Sequence, residues 1–214
     1  MATFSSVTAP SWSKEDERRE EESISPEERQ QIYSDLFGEQ VEASESSNAC
    51  AFHTDAMVKL VEAIENISNS HKIVYLEAMR LNPKLVTRES QLSYFLKHEN
   101  YNEKAAARRV VQYWQLRGKI FTNRAYEAMT LSGKGALDSQ DVNFLRAGIL
   151  QFLPNDVHDR TVIFYNNSAF ENCGFARDCL HRCLFYLLTV ALERESTQRN
   201  GVVFVCNFKV RKTQ

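Results

Sequence analysis

Glycine and proline are scarce, seven and four in 214 residues, and their placement excludes several functions. The glycines are scattered. Gly133-Lys134-Gly135 comes nearest to a phosphate loop, but it does not join a strand to a helix, so it reads as a flexible loop. A strong charge of either sign is also missing: 26 basic and 28 acidic side chains leave a net charge of −2. That balance gives no global attraction to nucleic acid or to an anionic membrane, and no nucleic-acid partner is expected. The longest apolar run, Cys183 to Leu192, falls well short of the ~18–20 residues that a bilayer span requires. Met1 to Lys14 has no apolar core of the signal-peptide kind, and the acidic run after it argues against a transit sequence; the expected compartment is the cytoplasm. Five cysteines, odd in number and mostly in apolar segments, suit reduced buried thiols better than a disulfide framework. No internal repeat is visible.

What is present is a clear order of elements. Residues 1–24 form an acidic tail too poor in apolar surface to offset its ordering entropy, and disorder is expected there. Residues 25–52 read as an isolated helix and a linker. Ser25 caps that helix, Pro26 suits its first position, Glu28 completes a capping box, and Ile32, Leu36 and Phe37 give it an apolar stripe. Residues 53–132 read as a helical subdomain. Met57, Leu60, Val61, Ile64 and Ile67 repeat at helical spacing, and a second helix over 73–81 ends at Asn82-Pro83. Leu85-Val86 is expected to be an extended connector, followed by the helix carrying Leu92, Phe95 and Leu96. Asn102 caps a further helix through Ala106, Val110, Trp114 and Arg117, with Gly118 as its stop.

Residues 133–214 read as an α/β unit. Asp138-Ser139-Gln140-Asp141 caps a short helix through Arg146, and 148–153 pairs with 161–165 across a polar turn. A long helix over 175–195, apolar on most sides, is expected to be buried all round. Asn200-Gly201 then turns into Val202–Cys206, whose continuous apolar character reads as a strand covered on both faces. Strand, helix and strand form a crossover unit, so these two strands should be parallel.

Candidate chemistry is thin. Cys179 and Cys183 share a helix face, but His181 points elsewhere and no second ligand cluster is evident, so core thiols are a better reading than a metal site. Asp156 and Asp159 sit in a polar turn, where aspartate bonds its own backbone. Arg108-Arg109 and the terminal Lys209, Arg211 and Lys212 form clusters small enough to be solvated surface rather than a head-group site. The aromatics Phe164, Tyr165, Phe185, Tyr186 and Phe204 suit a cavity wall and a packed core equally well.

Two motifs carry a resemblance. Phe95-Leu96-Lys97-His98-Glu99-Asn100-Tyr101-Asn102-Glu103-Lys104-Ala105, followed by Trp114 and Arg117, resembles the end of the helical subdomain in CRAL-TRIO proteins. Gly201 to Asn207 resembles a later strand of that family, with Asn207 where aspartate is usual. His158-Asp159-Arg160-Thr161 stands where the family has glycine before an arginine-proline pair. The likeness spans roughly residues 55–208. It implies a helical amino-terminal subdomain followed by a mixed sheet with a buried crossover helix. It also implies a lipid, retinoid or tocopherol-like ligand in an apolar cavity, transient contact with membranes, no cofactor and no catalysis.

Val162, Phe164, Val203 and Val205, with Leu184 and Leu188 from the helix, are the expected lining. The strand-face choice is arbitrary in sequence, because a one-residue shift inverts it. In the family, further strands and a gating helix follow the segment that ends at Gln214, so the lipid-binding domain reads as incomplete. If the chain is complete, Val202–Cys206 becomes an exposed apolar edge; truncation is the first explanation expected, ahead of a dimer or partner protein that completes the sheet and of a degenerate, non-binding domain. A protein-interaction module, or a degenerate non-binding domain completed by a partner, is the alternative to lipid binding.

Overall fold

The computed structural model describes residues 15, 18–19, 23–29 and 49–208. The expected disordered tail, the apolar stripe at Ile32, Leu36 and Phe37, and the terminal lysines lie largely outside these residues. The capping box at Ser25 is present. Ser25 Oγ accepts from the Glu28 N–H at 3.1 Å, and Glu28 Oε2 accepts from the Ser25 N–H at 2.9 Å.

The chain from Ala49 onward is mixed α/β, helical in its first half, with a three-stranded sheet in its second. The helical half comprises α1 (Ala49–Asn66), α2 (Ile73–Leu81), α3 (Pro83–Glu89), α4 (Leu92–His98) and α5 (Glu103–Phe121). Periodicity explains the packing of α1: Ala56, Leu60 and Ile64 are buried together, whereas Val61 turns outward and is 43% exposed. The cluster they join includes Ala78 of α2, Leu96 of α4, and Ala106, Ala107, Val110 and Trp114 of α5. Small alanines at this point let α1 and α5 approach closely.

Two expectations fail here for identifiable reasons. Leu85 and Val86 lie in a helix rather than an extended connector. Pro83 does end α2, but it also occupies the first turn of α3, where its missing N–H costs nothing. Asn82 Oδ1 caps that helix by accepting from the Leu85 N–H at 3.2 Å. Gly118 does not stop α5, which continues to Phe121. Its role is steric: a Cβ there would lie 3.0 Å from Val74 Cγ1, so glycine lets α2 lie close against α5.

The turn between α4 and α5 places Asn100 and Tyr101 in left-handed conformation, at φ 48° and 64°. Asn102 then caps α5 as expected, its Oδ1 accepting from the Ala105 N–H at 3.0 Å.

The second half contains α6 (Ser139–Arg146), β1 (Leu150–Leu153), β2 (Thr161–Asn166), the single turn α7 (Asn167–Phe170), α8 (Arg177–Leu192), α9 (Glu195–Asn200) and β3 (Val202–Asn207). The strand order is β1-β2-β3. β1 and β2 are antiparallel, whereas β2 and β3 are parallel, as a crossover through α8 demands. Cys179, Cys183 and Leu187, four residues apart, bury one stripe of α8 with Ile163 and Leu150 of the sheet. Phe185 points elsewhere, its ring 5.4 Å from that of Tyr113 and 5.5 Å from that of Phe121, and so joins α8 to α5.

Burial of α8 is less complete than its composition suggests. It ends at Leu192, which is 45% exposed, and His181 is exposed. A separate short helix, α9, precedes β3. The expectation that Val202–Cys206 is covered on both faces is overturned: Phe204 is 47% exposed and Val205 42%. Among the described residues β3 is an edge, paired only with β2.

Candidate functional site

Strand register decides which of the expected lining residues share a surface. Val162 pairs with Val203 and Phe164 with Val205, so all four point to one face of the sheet. Thr161, Ile163 and Tyr165, with their partners Val202, Phe204 and Cys206, point to the other. That second face receives α8, because Ile163, Tyr165 and Val202 pack with Cys179, Cys183 and Leu187. Leu184 and Leu188 of α8 are half-buried in the same cluster. The structure therefore divides the six residues: four share the sheet face away from α8, and two lie on the side that α8 covers.

On the face away from α8, Val162 is buried, Phe164 and Val203 are half-buried, and Val205 is exposed. Leu153 of β1, the register partner of Val162, extends the patch. Among the described residues, none of these five belongs to a buried hydrophobic cluster. The result is a largely apolar patch that also carries Gln151, the register partner of Phe164, and that stands apart from the three buried clusters although Val162 itself is buried.

The other candidate residues are held by the following bonds. Asp141, Cys179 and Cys183 bring their ligand-type atoms within 4.8 Å of one another, all buried. Sequence reading missed Asp141 as part of this group, since it reads there only as the third residue of a cap. It does act as one. Its carboxylate accepts from the Asp138 N–H at 3.0 Å, and Asp138 accepts from the Asp141 N–H at 2.9 Å. The same carboxylate accepts from Arg182 Nε at 2.9 Å. Cys183 Sγ donates to the Asp141 carbonyl at 3.4 Å. Burial, reinforced by Asp141, pushes the Cys179 thiol up to about 12, and burial pushes the Cys183 thiol up as well. The Arg182–Asp141 ion pair and the Cys183–Asp141 bond make this group a junction between α6 and α8.

Asp156 closes its own turn. Its carboxylate accepts from the His158 and Arg160 N–H groups at 3.0 and 2.9 Å and from Arg160 Nε at 2.7 Å. Asp159 Oδ1 accepts from Asn155 Nδ2 at 2.6 Å, with Asp159 itself at φ 56°. Both carboxylates thus serve the loop, as the turn reading expects. Arg109 pairs with the buried Glu99, which ties it to the α4–α5 turn.

A second buried network holds the helical half. Arg117, fully buried, donates to the Ala125 carbonyl at 2.7 Å, the Glu127 carbonyl at 2.7 Å, Glu89 Oε2 at 2.6 Å and Tyr113 Oη at 3.2 Å. Its guanidinium carbon stands 5.2 Å from the Trp114 ring centre. Trp114 Nε1 donates to Ser90 Oγ at 3.1 Å. The two residues that suggested a family ending are therefore adjacent parts of one packing device. No helix among the described residues is long and apolar enough to cross a membrane. Compared with known proteins, the chain matches no family model, no curated protein and no solved structure.

Proposed function

We propose that this protein binds a hydrophobic ligand, a lipid or isoprenoid-like molecule, without catalysis. The carrying observation is the apolar sheet face formed by Val162, Phe164, Val203 and Val205, which lies opposite α8 and outside the buried clusters. An acyl or isoprenoid chain laid on that face would gain ~0.8 kcal/mol for each methylene it buries. The face is a docking floor; Leu184 and Leu188 are core residues in this reading, because they lie on the other side of the sheet.

The resemblance of Phe95–Ala105, Trp114 and Arg117 to CRAL-TRIO proteins supports the same conclusion, since that family holds such ligands. Membrane contact in this account is transient, serving ligand exchange.

The test is native mass spectrometry of the purified chain, followed by organic extraction and lipid analysis. Val205→Asp places a carboxylate on the exposed part of the face, and desolvating that charge against a hydrocarbon chain costs several kcal/mol. A ligand held by the wild type and lost by this variant supports the reading. A ligand retained equally by both removes the sheet face from the account.

A further inference from the structure

The contact between α6 and α8 carries a separate inference. Cys179 and Cys183 stand four residues apart on α8, the spacing at which two helical side chains can share one ion. The sequence offers only this pair. The fold adds a third ligand from another element, because the capping box fixes Asp141 in the first turn of α6, where its carboxylate meets Arg182 of α8. The ligand atoms of all three residues lie within 4.8 Å of one another, and none of the three is more than 1% exposed. The two thiols bond each other, and Cys179 also bonds the Asp141 carboxylate.

We propose that Cys179, Cys183 and Asp141 form a zinc site that fastens α6 to α8. Two soft thiolates with one carboxylate suit Zn2+ better than Mg2+ or Ca2+, which take oxygen ligands. Bonds of ~2.0–2.3 Å to a tetrahedral zinc put its ligand atoms roughly 3.5–4 Å apart, so modest side-chain rotations close this set around an ion. Asp141 keeps an acceptor for it, since a carboxylate has about four such sites. Oδ2 carries the Asp138 N–H and stands 3.7 Å from Arg124 Nη2, whereas Oδ1 is bonded to Arg182 Nε at 3.0 Å. Charge also balances. Two thiolates and a carboxylate around Zn2+ sum to one negative charge, and the Arg182 guanidinium behind Asp141 offsets it. Each thiol releases its proton to solvent as its sulfur binds the ion.

The inference stands apart from ligand binding, because both cysteines lie on the side of the sheet that α8 covers, away from the proposed ligand floor. The experiment first measures the metal content of the full chain, purified without chelator, by elemental mass spectrometry. The chain is then stripped of metal in denaturant and refolded with Zn2+, or with Co2+ as its spectroscopic stand-in. The proposal predicts close to one zinc per chain and, with cobalt, a thiolate-to-metal charge-transfer band in the near ultraviolet. Saturating Zn2+ raises the Tm of the stripped chain by on the order of 10 °C. Cys179→Ser and Cys183→Ser each weaken the cobalt band and lower zinc affinity by about tenfold or more, whereas Cys206→Ser, at an exposed thiol, changes neither. A folded wild-type chain that carries no zinc and shows no charge-transfer band with cobalt overturns the proposal. A band that survives the loss of both Cys179 and Cys183 overturns it too.

Discussion

Arg117 and Glu89, 28 positions apart in sequence, meet at 2.6 Å inside the helical half. Glu89 uses its second oxygen to accept from the Met129 N–H at 3.1 Å, and Arg117 holds the carbonyls of Ala125 and Glu127. The pair thus fastens the end of α3, the later turns of α5 and the connection leading to the α/β half. A planar guanidinium with several fixed donors suits this position, whereas lysine offers a single ammonium on a flexible stem.

Removing Arg117 leaves the Glu89 carboxylate and two carbonyls without their partner. Arg117→Ala is expected to cost about 3–5 kcal/mol, the usual penalty for breaking a buried ion pair. Thermal unfolding should show this as a fall in Tm on the order of 10 °C. Arg117→Lys keeps a charge beside Glu89 and should fall between the two. A Tm unchanged in Arg117→Ala would show that the network contributes little.

Acid should weaken the junction between α6 and α8. Burial alone would raise the Asp138 carboxyl, but the Asp141 N–H and the charges of Arg124 and Arg182 outweigh it and hold Asp138 below the ordinary carboxylate range. A folded-state value lower than the unfolded one adds stability at neutral pH, and that stability is lost as pH falls through the depressed value. Hydrogen bonds from Arg160 lower Asp156 in the same sense. Urea midpoints at pH 7 and pH 3 should therefore differ less for Asp138→Asn than for the wild type, since asparagine still caps α6 but does not titrate. Equal differences would place the acid sensitivity elsewhere.

The thiols should divide by burial. Cys179, pushed up to about 12, and the more deeply buried Cys183 should resist alkylation at pH ~8 until the protein is unfolded. Cys206 is exposed and should react in the native state. Peptide mapping after iodoacetamide treatment, with and without denaturant, reads this directly. Native-state alkylation of Cys183 would contradict the packing of α8 against the sheet.

The two sides of the sheet should respond oppositely to substitution. Leu188 packs in the α8 cluster, so Leu188→Ala should cost about 1–3 kcal/mol in stability while leaving ligand retention intact. Val205→Asp, at a 42% exposed position, should change stability little and abolish retention. Paired denaturation curves and extraction measurements would check both; a reversed pattern would exchange the roles of the two faces.

Much of the architecture is legible locally. The helix over 73–81, the Asp138 cap, the hairpin before Asn166 and the parallel return at Val202 each follow from caps, turns or periodicity in a short window. What is missed depends on tertiary partners. Pro83 ends one helix and begins another, and only the burial of Leu85 and Val86 settles the matter. Gly118 reads as a stop unless Val74 is known to lie against it. The helix Glu195–Asn200 has no apolar face to announce it, although Thr197 is buried with its hydroxyl 2.6 Å from that of Thr161. Arg117 did leave a signal, a cation between Trp114 and Phe121 on an otherwise apolar stripe. The candidate lining split because period-two alternation groups Val162 with Phe164 and Val203 with Val205, yet cannot say which face α8 will cover.

The most direct test of the central claim is native mass spectrometry of the purified chain, with the released material identified after organic extraction. The account predicts a hydrophobic molecule at close to one per chain, absent from Val205→Asp. A wild-type chain that carries no such molecule, and takes none up from lipid vesicles, would contradict it.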